Sequence, residues 1–179
     1  MVSKDQQPLT VKAGSGKQYT YHILGIPAFT GNQEQREHVQ KLIDALRSGT
    51  YAQTTLTLRE TLGGKCKHCF LGVACDVSNL GHWSSAGLVA NSYFVGEYKT
   101  SATISKPVRE FYGFMNSNAF EVRVIDDEFG PVVERKQMTS LNDDLVSFED
   151  LAKILEYHLN GGLHIEASDF KLPEDVQVV

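Results

Sequence analysis

The stretch Cys66-Lys67-His68-Cys69-Phe70-Leu71-Gly72-Val73-Ala74-Cys75-Asp76 constrains this chain most, because it holds all three cysteines. It is either a thiol site with a histidine inside it or the buried wall of a small helical core. The spacing favours the wall. Read as a helix, it sets Cys69, Val73 and Asp76 or Val77 on one line and Phe70 and Ala74 on the next. Free cysteine packs as a small apolar group. Gly72 weakens such a helix by about 1 kcal/mol relative to alanine, so its place there predicts close approach of another element.

The alternatives fit the residues less well. A metal site would use Cys66, Cys69 and Cys75 with His68 or His82 as a fourth ligand. A C-x2-C knuckle has zinc spacing, but a structural site adds a second well-spaced pair. On a helix, Cys69 and Cys75 also fall on roughly opposite sides. A cysteine nucleophile needs a histidine base and an orienting third group. On a helix, His68 projects away from its neighbour Cys69. No G-x-S-x-G, H-E-x-x-H or G-x-x-x-x-G-K-[ST] motif is present. The expectation is therefore no catalytic residue, no metal and no cofactor. Gly14-Ser15-Gly16-Lys17 lacks the leading glycine of a phosphate loop and reads as leader.

A chain of 179 residues with 41% apolar and 22% charged residues can bury one core without staples. No apolar run approaches the roughly 18 residues of a membrane helix, and Met1 to Pro8 lacks a secretory signal's apolar stretch. An odd cysteine count predicts a reducing, cytoplasmic setting. Residues 1–67 carry 9 Lys/Arg against 5 Asp/Glu, and residues 68–179 carry 8 against 17. That thin basic excess does not make the concentrated face of a duplex-binding protein.

Helices are predicted where capping signals meet apolar stripes. Asn32 with Gln35 opens one carrying Val39, Leu42, Ile43 and Leu46, and Gly49 closes it. Ser147 with Asp150 opens another carrying Leu151, Ile154, Leu155 and Leu159, with Val146 as a staple. Pro107 starts a short helix through Phe114. Strands are predicted over Tyr19–Ile26, Thr54–Arg59, Lys65–His68, Tyr93–Tyr98 and Glu121–Ile125, with a return from Val132. The rest of 79–104 reads as loop, and Asn142-Asp143-Asp144 as the entry turn of the last helix rather than a cation site. The fold class is α+β: a single compact domain of helices packed with a small antiparallel sheet. Residues 1–31 are expected as a mobile leader with one strand, 32–165 as the domain and 166–179 as an acidic tail.

Four stretches carry a family resemblance. Ala45 to Gln53 resembles the ALRSGKYxQ opening of a group of small uncharacterised phage and bacterial proteins, and Cys69 to Val77 resembles their CCLGVxCDL helix. Pro107 to Phe114 resembles their PxxVxxWLGL segment, and Leu141 to Glu156 their LNDxxxxSFxxIAxxIE motif. Departures are Cys66-Lys67-His68 before the second motif, Phe111-Tyr112 where Trp-Leu is common, and about 35 extra N-terminal residues. The resemblance implies a phage-type accessory protein acting in a bacterial host cytoplasm, with no activity to carry over.

For binding, the clue is an aromatic group, Trp83 to Phe114, set among cations and hydroxyls. Aromatic faces stack on bases and cations hold phosphates, although aromatics also fill cores. The expected ligand-binding residues are Arg59, Trp83, Tyr98, Lys99 and Arg109. The expected function is non-enzymatic: binding and sequestering a host small molecule, first a nucleotide immune signal. The alternatives are a protein-protein inhibitor of a host factor, using the acidic half, and a Cys/His metal-dependent enzyme. No membrane partner is expected, and homo-oligomerisation is left open.

Overall fold

Apolar periodicity and end signals place the helices. In the computed structural model, which describes residues 7–15, 19–84, 89–127 and 132–170, helix α1 runs Gln33–Arg47 and buries Val39, Leu42, Ile43 and Leu46. Asn32 and Gln35 close a reciprocal capping box, with bonds of 2.9 and 3.0 Å. Helix α2 spans Phe70–Ser78, α3 Lys106–Tyr112, α4 Met138–Asp143 and α5 Phe148–Leu159. Helix α1 is the hub, touching α2, α3 and α5. Its last-turn Arg47 reaches Glu149 and Glu156 on α5.

The cysteine segment divides at Cys69. From Phe70 to Cys75 every residue is buried, as a core wall requires. Cys69 precedes the helix instead of lying in it: its Sγ accepts the Gly72 N–H at 3.4 Å as the N-cap. Cys66 is exposed on a strand, so the wall reading fails for that residue. Gly72 does admit another element. A Cβ there would sit 1.7 Å from the Leu58 carbonyl oxygen.

Twelve strands form three sheets among the described residues, more than the one small sheet expected. Strands β1 (Leu9–Ala13) and β2 (Tyr19–Ile26) fall in the predicted leader. Next come β3 (Ala52–Gln53), β4 (Arg59–Leu62) and β5 (Lys65–His68). The predicted loop of 79–104 holds β6 (His82–Trp83) and β7 (Ala90–Asn91), and the predicted strand Tyr93–Tyr98 is split by a turn at Gly96 into β8 (Tyr93–Val95) and β9 (Tyr98–Thr100). Last are β10 (Glu121–Asp126), β11 (Val133–Gln137) and β12 (Leu163–His164). The first sheet has the order β1-β2-β10-β11, with β12 also on β2. Since β10 already pairs with Gly25, β12 must continue the β1 edge of β2 beyond Ile23. The second sheet is β3-β5-β4-β7, in which only β3 and β5 are parallel, and the third is β6-β8-β9.

These elements make one compact α+β domain. The described residues of the expected leader, 7–15 and 19–31, supply a sheet edge and a strand buried from Thr20 to Ile26. Gly14 donates to the Asp144 carbonyl at 2.7 Å, while Gly16 and Lys17 lie outside the described residues. From the predicted tail, Ala167–Asp169 forms a 3-10 turn and Phe170 lies against His22, ring centroids 5.1 Å apart. The remaining tail residues, 171–179, are outside the described set, as are Glu128 and Gly130, which with Asp126 and Asp127 read in the sequence as the turn before the return strand at Val132. The predicted strand 54–59 is not one. Leu56 adopts φ +63° and the chain turns before β4 begins at Arg59.

Asn142-Asp143-Asp144 ties distant parts together instead of turning the chain into α5. The Asn142 Oδ1 accepts from the Phe70 N–H at 3.1 Å and from the Gln53 amide at 3.1 Å. Its Nδ2 donates to the Thr54 carbonyl at 2.9 Å. Asp143 Oδ1 accepts the Leu56 N–H at 2.8 Å. Asp144 Oδ2 accepts from Tyr21 Oη at 2.7 Å and Lys136 Nζ at 3.0 Å. The entry to α5 is made elsewhere, by Ser147 Oγ accepting the Asp150 N–H at 3.1 Å.

Two substitutions test this frame. Gly72→Ala forces its Cβ onto a backbone carbonyl and should cost about 3 kcal/mol, the upper range for overpacking. Asn142→Leu keeps volume but strands the Phe70 N–H and the Thr54 carbonyl; with each buried orphan costing about 1–3 kcal/mol, it should be at least as damaging. Urea denaturation midpoints read both.

Candidate functional site

The second sheet builds a polar face beside an aromatic one. Cross-strand neighbours share a face, so the pairs Arg59↔His68, Thr61↔Cys66 and Arg59↔Asn91 place all five side chains on one side. Asn91 Oδ1 accepts from Arg59 Nε at 2.8 Å and from Thr61 Oγ1 at 2.7 Å. The Arg59 guanidinium lies over the Trp83 ring, 4.6 Å from its centroid. Trp83 is the chain's single tryptophan. No carboxylate pairs with Arg59 among the described residues. Its charge is instead held by an aromatic face and an amide oxygen.

Helix α2 fixes the tryptophan. Asp76, near its C-terminal end, accepts from Trp83 Nε1 at 3.0 Å and from Tyr51 Oη at 2.7 Å. Burial and that bond to Asp76 push the Tyr51 phenol above its ordinary range. Inside the resulting loop sits His68, 7% exposed, edge-on to Tyr51 at 5.1 Å and to Trp83 at 5.7 Å. Neither of its ring nitrogens has a hydrogen-bond partner among the described residues. Burial above all, with Arg59 adding to it, holds this imidazole below its ordinary pKa despite Asp76. The site is a cationic platform beside a buried histidine.

Thiol chemistry has little to work with here. Burial lifts the Cys69 thiol to about 11 and the Cys75 thiol further, so both stay protonated at neutral pH. Cys66 is exposed beside Thr61, its Sγ 3.4 Å from Thr61 Oγ1. Among the described residues no three His, Cys, Asp or Glu side chains group as metal ligands. No helix among them is long and apolar enough to cross a membrane.

Of the five residues expected to bind a ligand, the fold brings together Arg59 and Trp83. Tyr98 and Lys99 lie on β9 of the third sheet. Register puts Tyr98 on the Trp83 side, 42% exposed, and Lys99 on the opposite side with Phe94 and His82. Lys99 Nζ is 5.7 Å from the Phe94 ring centroid. Arg109 is in the last turn of α3, which packs on α1 and α2. Tyr93, Tyr112 and Phe114 from the same aromatic group are core. Sequence reasoning missed Tyr51, His68 and Asp76 as one unit. Only the alternation of Cys66 and His68 along a strand hinted at it.

A family model described as a domain of unknown function, DUF8296, matches residues 34–159. Strands β1, β2 and β12 lie outside that stretch yet complete its first sheet. No curated protein and no solved structure matches the chain.

The buried histidines set a pH dependence. His22, His68 and His158 are each held below the ordinary value of about 6.5, burial being the first cause for all three. A lowered folded-state pKa means that the unfolded chain binds more protons. Stability is thus full above about pH 6.5 and falls as the pH drops below it. His68→Phe should make that fall shallower by up to about 1.4 kcal/mol per pH unit. Denaturation midpoints measured from pH 8 to pH 5 check the sign and the slope.

Proposed function

We propose that this chain, which belongs to the DUF8296 family, is a binding protein that holds a small phosphate-bearing ligand, first a nucleotide, on the Arg59–Trp83 platform. The observation that carries this reading is a guanidinium stacked at 4.6 Å on an indole with no carboxylate paired to it among the described residues. Such a guanidinium presents N–H groups to phosphate oxygens, and its plane stacks on a base. Asn91 holds Nε, so the group is oriented before any ligand arrives. Tyr98, on the same side of the third sheet as Trp83, adds an exposed ring. Lys99 faces the opposite side of the third sheet, and Arg109 stands on α3.

The role follows from binding without bond-breaking: sequestration of a host nucleotide signal, in a phage-type accessory protein working in a bacterial cytoplasm. The motif resemblance and the poverty of thiol chemistry support it. A second reading has the acidic half, with 17 Asp/Glu against 8 Lys/Arg over residues 68–179, cover a basic host protein.

Titration with linear and cyclic nucleotides, followed by calorimetry and by Trp83 emission, separates these. Sequestration predicts saturable heat and altered emission. Arg59→Ala should weaken binding by roughly tenfold or more, as loss of a charged hydrogen bond does, and Arg59→Lys should not restore it. A silent titration at millimolar nucleotide, together with a stoichiometric protein partner from host lysate, would favour the second reading.

A further inference from the structure

His68 stands where an apolar ring would pack as well. It is 7% exposed, edge-on to Tyr51 and Trp83, and neither ring nitrogen meets a partner among the described residues. A phenylalanine would fill such a place without stranding two polar atoms. What distinguishes the imidazole from that ring is the proton it can take up.

The groups around it decide what that proton does. From β4, Arg59 is the cross-strand partner of His68, and like charges directly opposite repel. From α2, Asp76 faces it with both carboxylate oxygens engaged: Oδ1 accepts from Trp83 Nε1 and Oδ2 from Tyr51 Oη. The parallel partner on β3 is Gln53, which is uncharged. The Tyr51 phenol, held above its ordinary range, is uncharged too. On β5 itself, Cys66 lies on the same side as His68, while Lys67 on the opposite side pairs with Glu60 at 3.7 Å. Burial first, with Arg59 adding to it, keeps the proton off His68 at neutral pH although Asp76 pulls the other way. A protonated imidazole donates from both nitrogens, and here it is a buried charge facing a guanidinium. Two movements relieve it. It turns toward Asp76, in competition with the Trp83 and Tyr51 donors, or it drives Arg59 away. Each movement acts on one half of the stack.

We propose that His68 is an acid-sensitive switch of the platform: on taking up one proton it breaks the Arg59–Trp83 stack before the fold as a whole gives way. The stack is closed above the ordinary imidazole range and opens below it. Release of a bound nucleotide on acidification rests on the platform reading; opening of the stack does not.

Trp83 is the chain's single tryptophan, so its emission reports the stack. Emission and its quenching by acrylamide are followed without ligand from pH 8 to pH 5, beside far-UV circular dichroism. Trp83 should change in a one-proton step with a midpoint below about 6.5, while the far-UV signal holds. His68→Gln should remove the step, and His22→Gln, on the first sheet, should keep it. If His68→Gln does not fold, proton NMR of the unmodified chain decides: one of the six histidine rings must titrate at the Trp83 midpoint. Nucleotide titration reads the last step. The apparent Kd should rise roughly tenfold per pH unit below the midpoint, as the competent fraction falls. A chain that shows the Trp83 step and binds no nucleotide at any pH sinks the platform reading and supports the switch. Trp83 changing only together with the far-UV signal, a step retained in His68→Gln, or no histidine ring sharing the midpoint would each overturn it.

Discussion

A single buried carboxamide organises this fold. Asn142 is 1% exposed and ties α4 to two other chain segments: the end of β3 with the Thr54 carbonyl that follows it, and the first N–H of α2. A buried amide group left without a partner costs about 1–3 kcal/mol, and here both ends of the side chain are satisfied. Its neighbours extend the tie outward. Asp143 sets the left-handed turn at Leu56, and Asp144 takes Tyr21 and Lys136 of the first sheet. Its carbonyl also accepts from Gly14, beyond β1. Three consecutive residues thus lock the first sheet, α2 and the loop before β4 into one body.

The platform inherits its geometry from that lock. Asn142 positions the start of α2, and Asp76 near its far end positions Trp83 and Tyr51. The Leu58 carbonyl lies against Gly72 and accepts the Cys69 N–H at 3.0 Å, so α2 also determines where β4 begins. Arg59 is the next residue. Trp83 is thus bonded to the nine-residue α2 itself, and Arg59 follows the residue that packs on its first turn. In the proposed role, side chains held this way would lose little freedom on binding a ligand, which is the condition for useful affinity from few contacts.

What the sequence disclosed follows the length of its elements. Helices α1 and α5 carry two or more turns of apolar repeat and a cap at the start, and both were legible nearly to the residue. Strands of two or three residues, such as β3, β6 and β7, are too short to show a period of two, so 79–104 looked like loop. The run 54–58 is rich in threonine and reads extended, but Asp143, distant in sequence, bends it at Leu56. Asn142 itself looked like an ordinary turn residue, because nothing local says that its partners lie about 70 to 90 positions away. For the site, residue type picked out Arg59 and Trp83, while only register could show that Lys99 points the other way.

The uneven charge along the chain takes on a meaning in three dimensions. The basic first third supplies Arg59, and the acidic remainder supplies Asp143. Both are held by hydrogen bonds, Arg59 by the Asn91 amide and Asp143 by the Leu56 N–H. A chain that needed these charges only for solubility could place them on any outer face. Here each is fixed by hydrogen bonds beside a stack or a left-handed turn, where an ordinary solvated charge gains nothing from being held.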